Sequence, residues 1–126
     1  MDQNWLNKNN LNYNTFTMLQ LYQKINRFNQ KNCIYKIYCK DTSVYDFYIG
    51  RAVNMRKRAR EHYRVSTTDY NKTNRLYKFI NENGGIECFD IDILEYDIPS
   101  NELNDIETKY ILNMKPTLNT QLKNKY

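Results

Sequence analysis

Two short runs of apolar and aromatic residues, Cys33–Cys39 (CIYKIYC) and Val44–Ile49 (VYDFYI), stand on either side of Lys40–Asp41–Thr42–Ser43. β-Branched and aromatic side chains suit a pleated, half-buried surface, and Asp, Thr and Ser supply a turn, so the segment predicts an antiparallel hairpin. It is expected to end at Gly50, one of only three glycines in the chain. A glycine there answers either an unusual dihedral or the close approach of a neighbour. Farther on, Phe89, Ile91 and Ile93 alternate with Asp90 and Asp92 inside Ile86–Tyr96, the pattern of a third, half-buried strand.

Helical spacing fills the intervals. Met18, Leu21, Tyr22, Ile25 and Phe28 mark an amphipathic helix over Asn14–Phe28, packing on the domain or on a second copy. Asn54 is placed to cap Met55–Arg64, with Met55, Ala59 and Tyr63 inward. Asn74–Asn83 buries Leu76, Phe79 and Ile80 and stops at Gly84–Gly85, the usual place for a left-handed cap. Pro99 and Ser100 open a last helix that should finish before Pro116. After an extra N-terminal helix the expected order is β-β-α-α-β-α, an α+β layout with the sheet covered by helices. The expected division is an Asn-rich extension over 1–30, poorly ordered at its start, a single domain over 31–122, and a tail over 123–126.

Several classes are excluded or disfavoured at once. No apolar run approaches the roughly 18–20 residues that cross a bilayer, and the N-terminus lacks the basic and apolar regions of a secretory signal. Three cysteines, Cys33, Cys39 and Cys88, cannot all pair, and with one histidine they make a poor zinc set. Free thiols in a reducing intracellular compartment are expected, with no membrane partner.

Charge becomes informative once located. Arg51, Arg56, Lys57, Arg58, Arg60 and Arg64 stand against Glu61 alone, a net of +5 within one segment, equal to the net charge of the whole chain. Such a field attracts phosphates with salt-sensitive affinity, although a basic run is by itself often only a solvated helix face. Arg58 and His62 are four apart and share a helix face. A guanidinium holds phosphate oxygens through two donors, and an imidazole relays protons near neutral pH.

In the last helix Leu103, Ile106, Tyr110, Ile111 and Met114 form an apolar stripe with Glu107 near its middle. A carboxylate there must be paired, protonated or bound to a cation, because burying it alone costs several kcal/mol. Two readings stand: an ion pair with a lysine or arginine, or an oxygen ligand for Mg²⁺ or Mn²⁺.

C-I-Y at 33–35, Y-I-G at 48–50, eight residues to Arg58, four more to His62, then Glu107 on its apolar face and Leu118–Asn119, together resemble the GIY-YIG nuclease superfamily over about residues 32–120. The resemblance implies a three-stranded antiparallel sheet flanked by helices, and a divalent-metal-dependent DNA endonuclease that nicks or cuts both strands. It implies that Tyr35 and Tyr48 lie near the attacking water, one of them the general base, with the choice open. Arg58 would bind the scissile phosphate, His62 would hydrogen-bond the nucleophile–phosphate region or assist proton transfer, and Glu107 would be the protein ligand of a single Mg²⁺ or Mn²⁺. Asn119 would orient the site, and Arg51, Arg56 and Lys57 are candidate substrate contacts. Cys33 replaces the family's first glycine, and Arg51 stands where smaller residues or lysine are common. A nucleic-acid-binding or docking module that keeps the fold but cleaves weakly is the alternative. With no appended reader domain, targeting is expected from DNA shape, from a homodimer through the N-terminal helix, or from a partner protein.

Overall fold

The computed structural model describes residues 14–25, 27–28, 31–68 and 74–119; the expectations for the start of the chain and for 123–126 lie outside them. Four strands form one sheet: β1 (Thr15–Thr17), β2 (Cys33–Cys39), β3 (Phe47–Ala52) and β4 (Phe89–Glu95), in the order β1-β4-β2-β3 with every pair antiparallel. Helices α1 (Met18–Gln23), α2 (Met55–Ser66), α3 (Arg75–Glu82) and α4 (Leu103–Met114) cover it. The α+β class with an antiparallel sheet flanked by helices is as expected, and β1 extends the sheet by one strand at the β4 edge.

The additional strand comes from the front of the expected first helix. Thr17 is extended and accepts from the Gln20 backbone N–H, while the Gln20 side chain accepts from the Thr17 N–H, a reciprocal cap that starts α1 at Met18. Thr15–Thr17 is thereby free to pair with Asp90–Asp92. The helix is short, six residues, and buries Met18 and Leu21 against the sheet and α2.

Alternation of side chains across β2 decides what each face does. Cys33, Tyr35, Ile37 and Cys39 point into a core shared with Phe16, Leu21, Ala59, Leu76, Ile80, Phe89 and Ile91, beneath α1, α2 and α3. Ile34, on the other face, joins Ile49, Ile98, Leu103 and Ile111 beneath α4. Burial on both faces fixes the register, since a slip by one residue would exchange the two cores.

Local signals set the helix ends. Asn54 accepts from the Lys57 N–H and Asn74 from the Tyr77 N–H, starting α2 and α3. After α3, Gly84 and Gly85 have φ of 99° and 92°, and Gly85 N–H donates to Ile80 C=O, the expected left-handed stop. A short 3₁₀ turn, Ile86–Cys88, takes the first part of the expected third strand. Pro99–Glu102 forms a turn rather than the first turn of α4, so that helix begins at Leu103. No helix among the described residues is long and apolar enough to cross a membrane.

Candidate active site

The site gathers at the β3 edge of the sheet. Register pairs Tyr35 with Gly50, so Tyr35 and Tyr48 project on the same face, their ring centroids 6.2 Å apart. Gly50 is required by this crowding. A Cβ built there would lie 2.6 Å from Tyr35 Cζ and Oη and 2.7 Å from Tyr48 Cε2. Its role is the close approach of two rings, and the strand runs on past it to Ala52 instead of ending.

Helix α2, fixed against the sheet by Met55 and Ala59, brings His62 to the tyrosines. Tyr35 Oη and His62 Nε2 lie 2.7 Å apart, and His62 Nδ1 lies 2.8 Å from Tyr77 Oη. His62 is only 3% exposed. Burial, and secondarily the Arg58 guanidinium, lower its pKa to about 3, so the imidazole is neutral and holds one N–H and one acceptor between two phenols. Tyr77 was not singled out from the sequence. Its hydroxyl becomes a site group only when α3 packs beside α2, and no short motif carries that information.

The phenols differ in exposure. Tyr35 is 1% exposed, and burial, with Tyr48 as a further raising influence, pushes it well above the ordinary range. Tyr48 is half-buried and lines a cavity of about 200 Å³ with Arg58, His62, Tyr77 and Asn119. Burial raises Tyr48 too, Arg58 opposes it, Glu107 adds to it, and a hydrogen bond with Tyr35 lowers it. Arg58 and Glu107 thus both act on Tyr48. One arrives on α2 from the tyrosine face, the other on α4, which packs on the opposite face.

Glu107 has a side chain 17% exposed and forms an ion pair with Arg51, Oε1 to Nε 3.7 Å. Among the described residues no group of three or more His, Cys, Asp or Glu side chains is arranged to hold a metal. A cation at Glu107 would therefore take its other ligands from water and phosphate, the habit of Mg²⁺, which binds through one or two carboxylates and keeps several waters. The donor set fits a hard divalent ion in that manner.

The remaining candidates separate. Lys57 borders an open groove with Arg58, Val53, Asn54 and Glu61. Arg56 turns to the other side of α2, where its Nε donates to the Tyr22 carbonyl at the end of α1. Arg51 Nη1 donates to Asn104 Oδ1 at 2.7 Å. Asn119 is 6% exposed; its Oδ1 accepts from Ile49 N–H at 2.9 Å and its Nδ2 donates to Ile49 C=O at 2.7 Å. With Leu118 N–H donating to Phe47 C=O, this segment satisfies the outer edge of β3 beside Tyr48.

Neither the comparison with curated proteins nor that with solved structures gave a match. The family model for the GIY-YIG catalytic domain matches residues 31–121. That span holds β2, β3, α2, α3, β4 and α4, and every residue of the tyrosine–histidine–arginine–glutamate cluster. The chain belongs to the GIY-YIG catalytic domain family and is a member of this nuclease superfamily.

Proposed function

We propose that the protein is a divalent-metal-dependent DNA endonuclease that hydrolyses phosphodiester bonds at the β3 edge. The observation that carries this is convergence: Tyr48, Arg58, His62, Tyr77 and Asn119 line one cavity, and Glu107 on α4 stands near enough to Tyr48 to push its pKa upward. A phosphate in the cavity would meet Arg58, whose fork of donors suits two phosphate oxygens and the charge that develops during displacement. Lys57 continues the positive groove and would hold flanking backbone. Glu107 would hold Mg²⁺ or Mn²⁺, which supplies Lewis-acid stabilisation of charge on phosphate oxygens.

Of the two phenols, Tyr48 is the better general base, because it lines the cavity while Tyr35 is enclosed behind it. In this assignment Tyr77 donates to His62 Nδ1, His62 Nε2–H donates to Tyr35, and the Tyr35 hydroxyl donates to Tyr48. Each donor in the row supports negative charge on the last oxygen. Arg58, lining the same cavity, opposes the rise that burial imposes on the Tyr48 pKa. His62 then serves as a neutral link and Asn119 as the residue that holds β3 in place. Arg56 is assigned a lesser part, given its bond to α1.

Targeting is assigned to DNA shape or to a partner protein. The apolar face of α1 is buried inside its own domain through Met18 and Leu21, so a homodimer through that helix would have to use the exposed Leu19 and the partly buried Tyr22. Light scattering at high concentration tests this, with a monomer expected.

Cleavage of supercoiled plasmid with Mg²⁺, Mn²⁺ or EDTA, wild type beside Glu107→Ala, tests the activity. Metal-dependent nicking by wild type alone is expected, with DNA binding retained by both. The Arg51–Glu107 ion pair favours a second reading, a binding module in which Glu107 is structural. If neither protein cuts, both bind DNA in a salt-sensitive way, and Glu107→Ala melts several degrees lower, that second reading holds.

A further inference from the structure

Arg51 follows directly on Tyr48–Ile49–Gly50 within β3, and its side chain reaches α4. Its Nε sits 3.7 Å from Glu107 Oε1, and its Nη1 donates to Asn104 Oδ1 at 2.7 Å. Asn104 precedes Glu107 by three residues, so both lie on one face of α4 and hold the guanidinium from two sides. The Arg51 side chain is 45% exposed, against 17% for Glu107. The guanidinium can therefore leave into solvent without opening a core, whereas the carboxylate stays where α4 places it.

A divalent cation and a guanidinium compete for one carboxylate, since like charges a few Å apart repel strongly in a partly desolvated site. A phosphodiester offers the guanidinium an alternative with matching bidentate geometry. We propose, resting on the reading of Glu107 as the metal ligand, that Arg51 is a built-in cation that occupies Glu107 in the metal-free protein and moves to the DNA backbone when substrate arrives. Glu107 is thus kept neutralised between turnovers, and phosphate that draws Arg51 away exposes it to the metal. By linkage, each ligand then strengthens the binding of the other. Arg51 is in this sense a positioning residue that acts through Glu107, and Asn104 tethers it.

The test reads metal binding without turnover. Mn²⁺ is titrated into the metal-free full chain, without DNA, and the free ion is followed by electron paramagnetic resonance. Arg51→Ala is expected to bind Mn²⁺ about tenfold tighter than wild type, the order of effect from removing one nearby positive charge in a partly screened site. Asn104→Ala, which leaves the charge but frees it, should tighten binding by a smaller factor, and Arg51→Lys should stay closer to wild type than alanine does. Glu107→Gln should lose the site. If Glu107→Gln abolishes binding while Arg51→Ala binds no tighter than wild type, the competition is overturned and the metal assignment survives. If Glu107→Gln binds as wild type does, the metal assignment fails and this inference with it.

Discussion

Tyr35 Oη and His62 Nε2 are 2.7 Å apart, a contact between the central strand and the first helix of the matched domain, 27 residues away in sequence. Both groups are almost fully buried. The bond therefore links the chemistry of the site to the packing of the core, since neither group has water as a substitute partner. Consequences of that linkage can be measured one residue at a time.

Acid should unfold the protein partly through His62. An unfolded histidine titrates near 6.5, whereas the folded one is lowered to about 3 by burial and by Arg58. Between these values the unfolded state binds more protons, so this contribution is complete above pH 6.5 and is lost as the pH falls toward 3. The expected slope is at most about 1.4 kcal/mol per pH unit from this one group. Chemical denaturation from pH 7.5 to 4 measures it, and His62→Gln should show a flatter dependence over the same range. The same lowered value predicts no inflection near pH 6.5 in the cleavage rate.

Gly50→Ala places a methyl 2.6 Å from the Tyr35 hydroxyl end and 2.7 Å from the Tyr48 ring. The Tyr35 ring is enclosed and backed by His62, so it cannot yield freely, and the half-buried Tyr48 ring can yield only by turning into the cavity it lines. Overpacking of this kind costs about 1–3 kcal/mol. Plasmid nicking should fall at least a hundredfold, a larger loss than the thermal melt alone accounts for, because the displaced rings are those proposed to act.

Tyr77→Phe removes the partner of His62 Nδ1 and leaves a buried ring nitrogen unsatisfied. A stability loss of about 1–2 kcal/mol is expected. Single-turnover cleavage should slow about tenfold while DNA affinity stays near wild type, since the hydroxyl orients His62 and makes no proposed contact with phosphate. An unchanged cleavage rate would remove Tyr77 from the hydrogen-bonded row.

Asn119→Ala leaves both Ile49 N–H and Ile49 C=O without their side-chain partners in a buried position. The expected cost is about 2–4 kcal/mol, the sum for two deprived backbone groups. Protection of the Ile49 amide in hydrogen exchange should drop with it, whereas Asn119→Asp should restore acceptance from that amide but not donation to the carbonyl.

Alkaline conditions should favour cleavage. Burial holds Tyr48 above the ordinary phenol value, with Arg58 opposing it. A base that must lose a proton gains active fraction as pH rises, so single-turnover rates should climb beyond pH 8 in wild type. Tyr48→Phe should abolish that limb, and Tyr35→Phe should lower the rate while keeping it.

The amino-acid sequence by itself determined three of the four strands, the helices, and Tyr35, Tyr48, Arg58, His62 and Glu107 as candidate groups. Alternation in Phe89–Ile93, the cap at Asn54 and the stop at Gly84–Gly85 are local patterns, governed by φ/ψ preference and by which side of a strand or helix is apolar. Glu107 was visible because a charge inside an apolar stripe is anomalous in any fold. Tertiary structure alone decided partnership. The extended cap at Thr17 and the open β4 edge together made β1 where helical spacing had pointed to a longer helix. Packing of α3 on α2 supplied Tyr77 to His62, and closure of α4 over β3 set Arg51 against Glu107. Such pairs join residues far apart in the chain, and no periodicity encodes them. Their distances follow from how helices pack on two cores, one on each face of a single sheet.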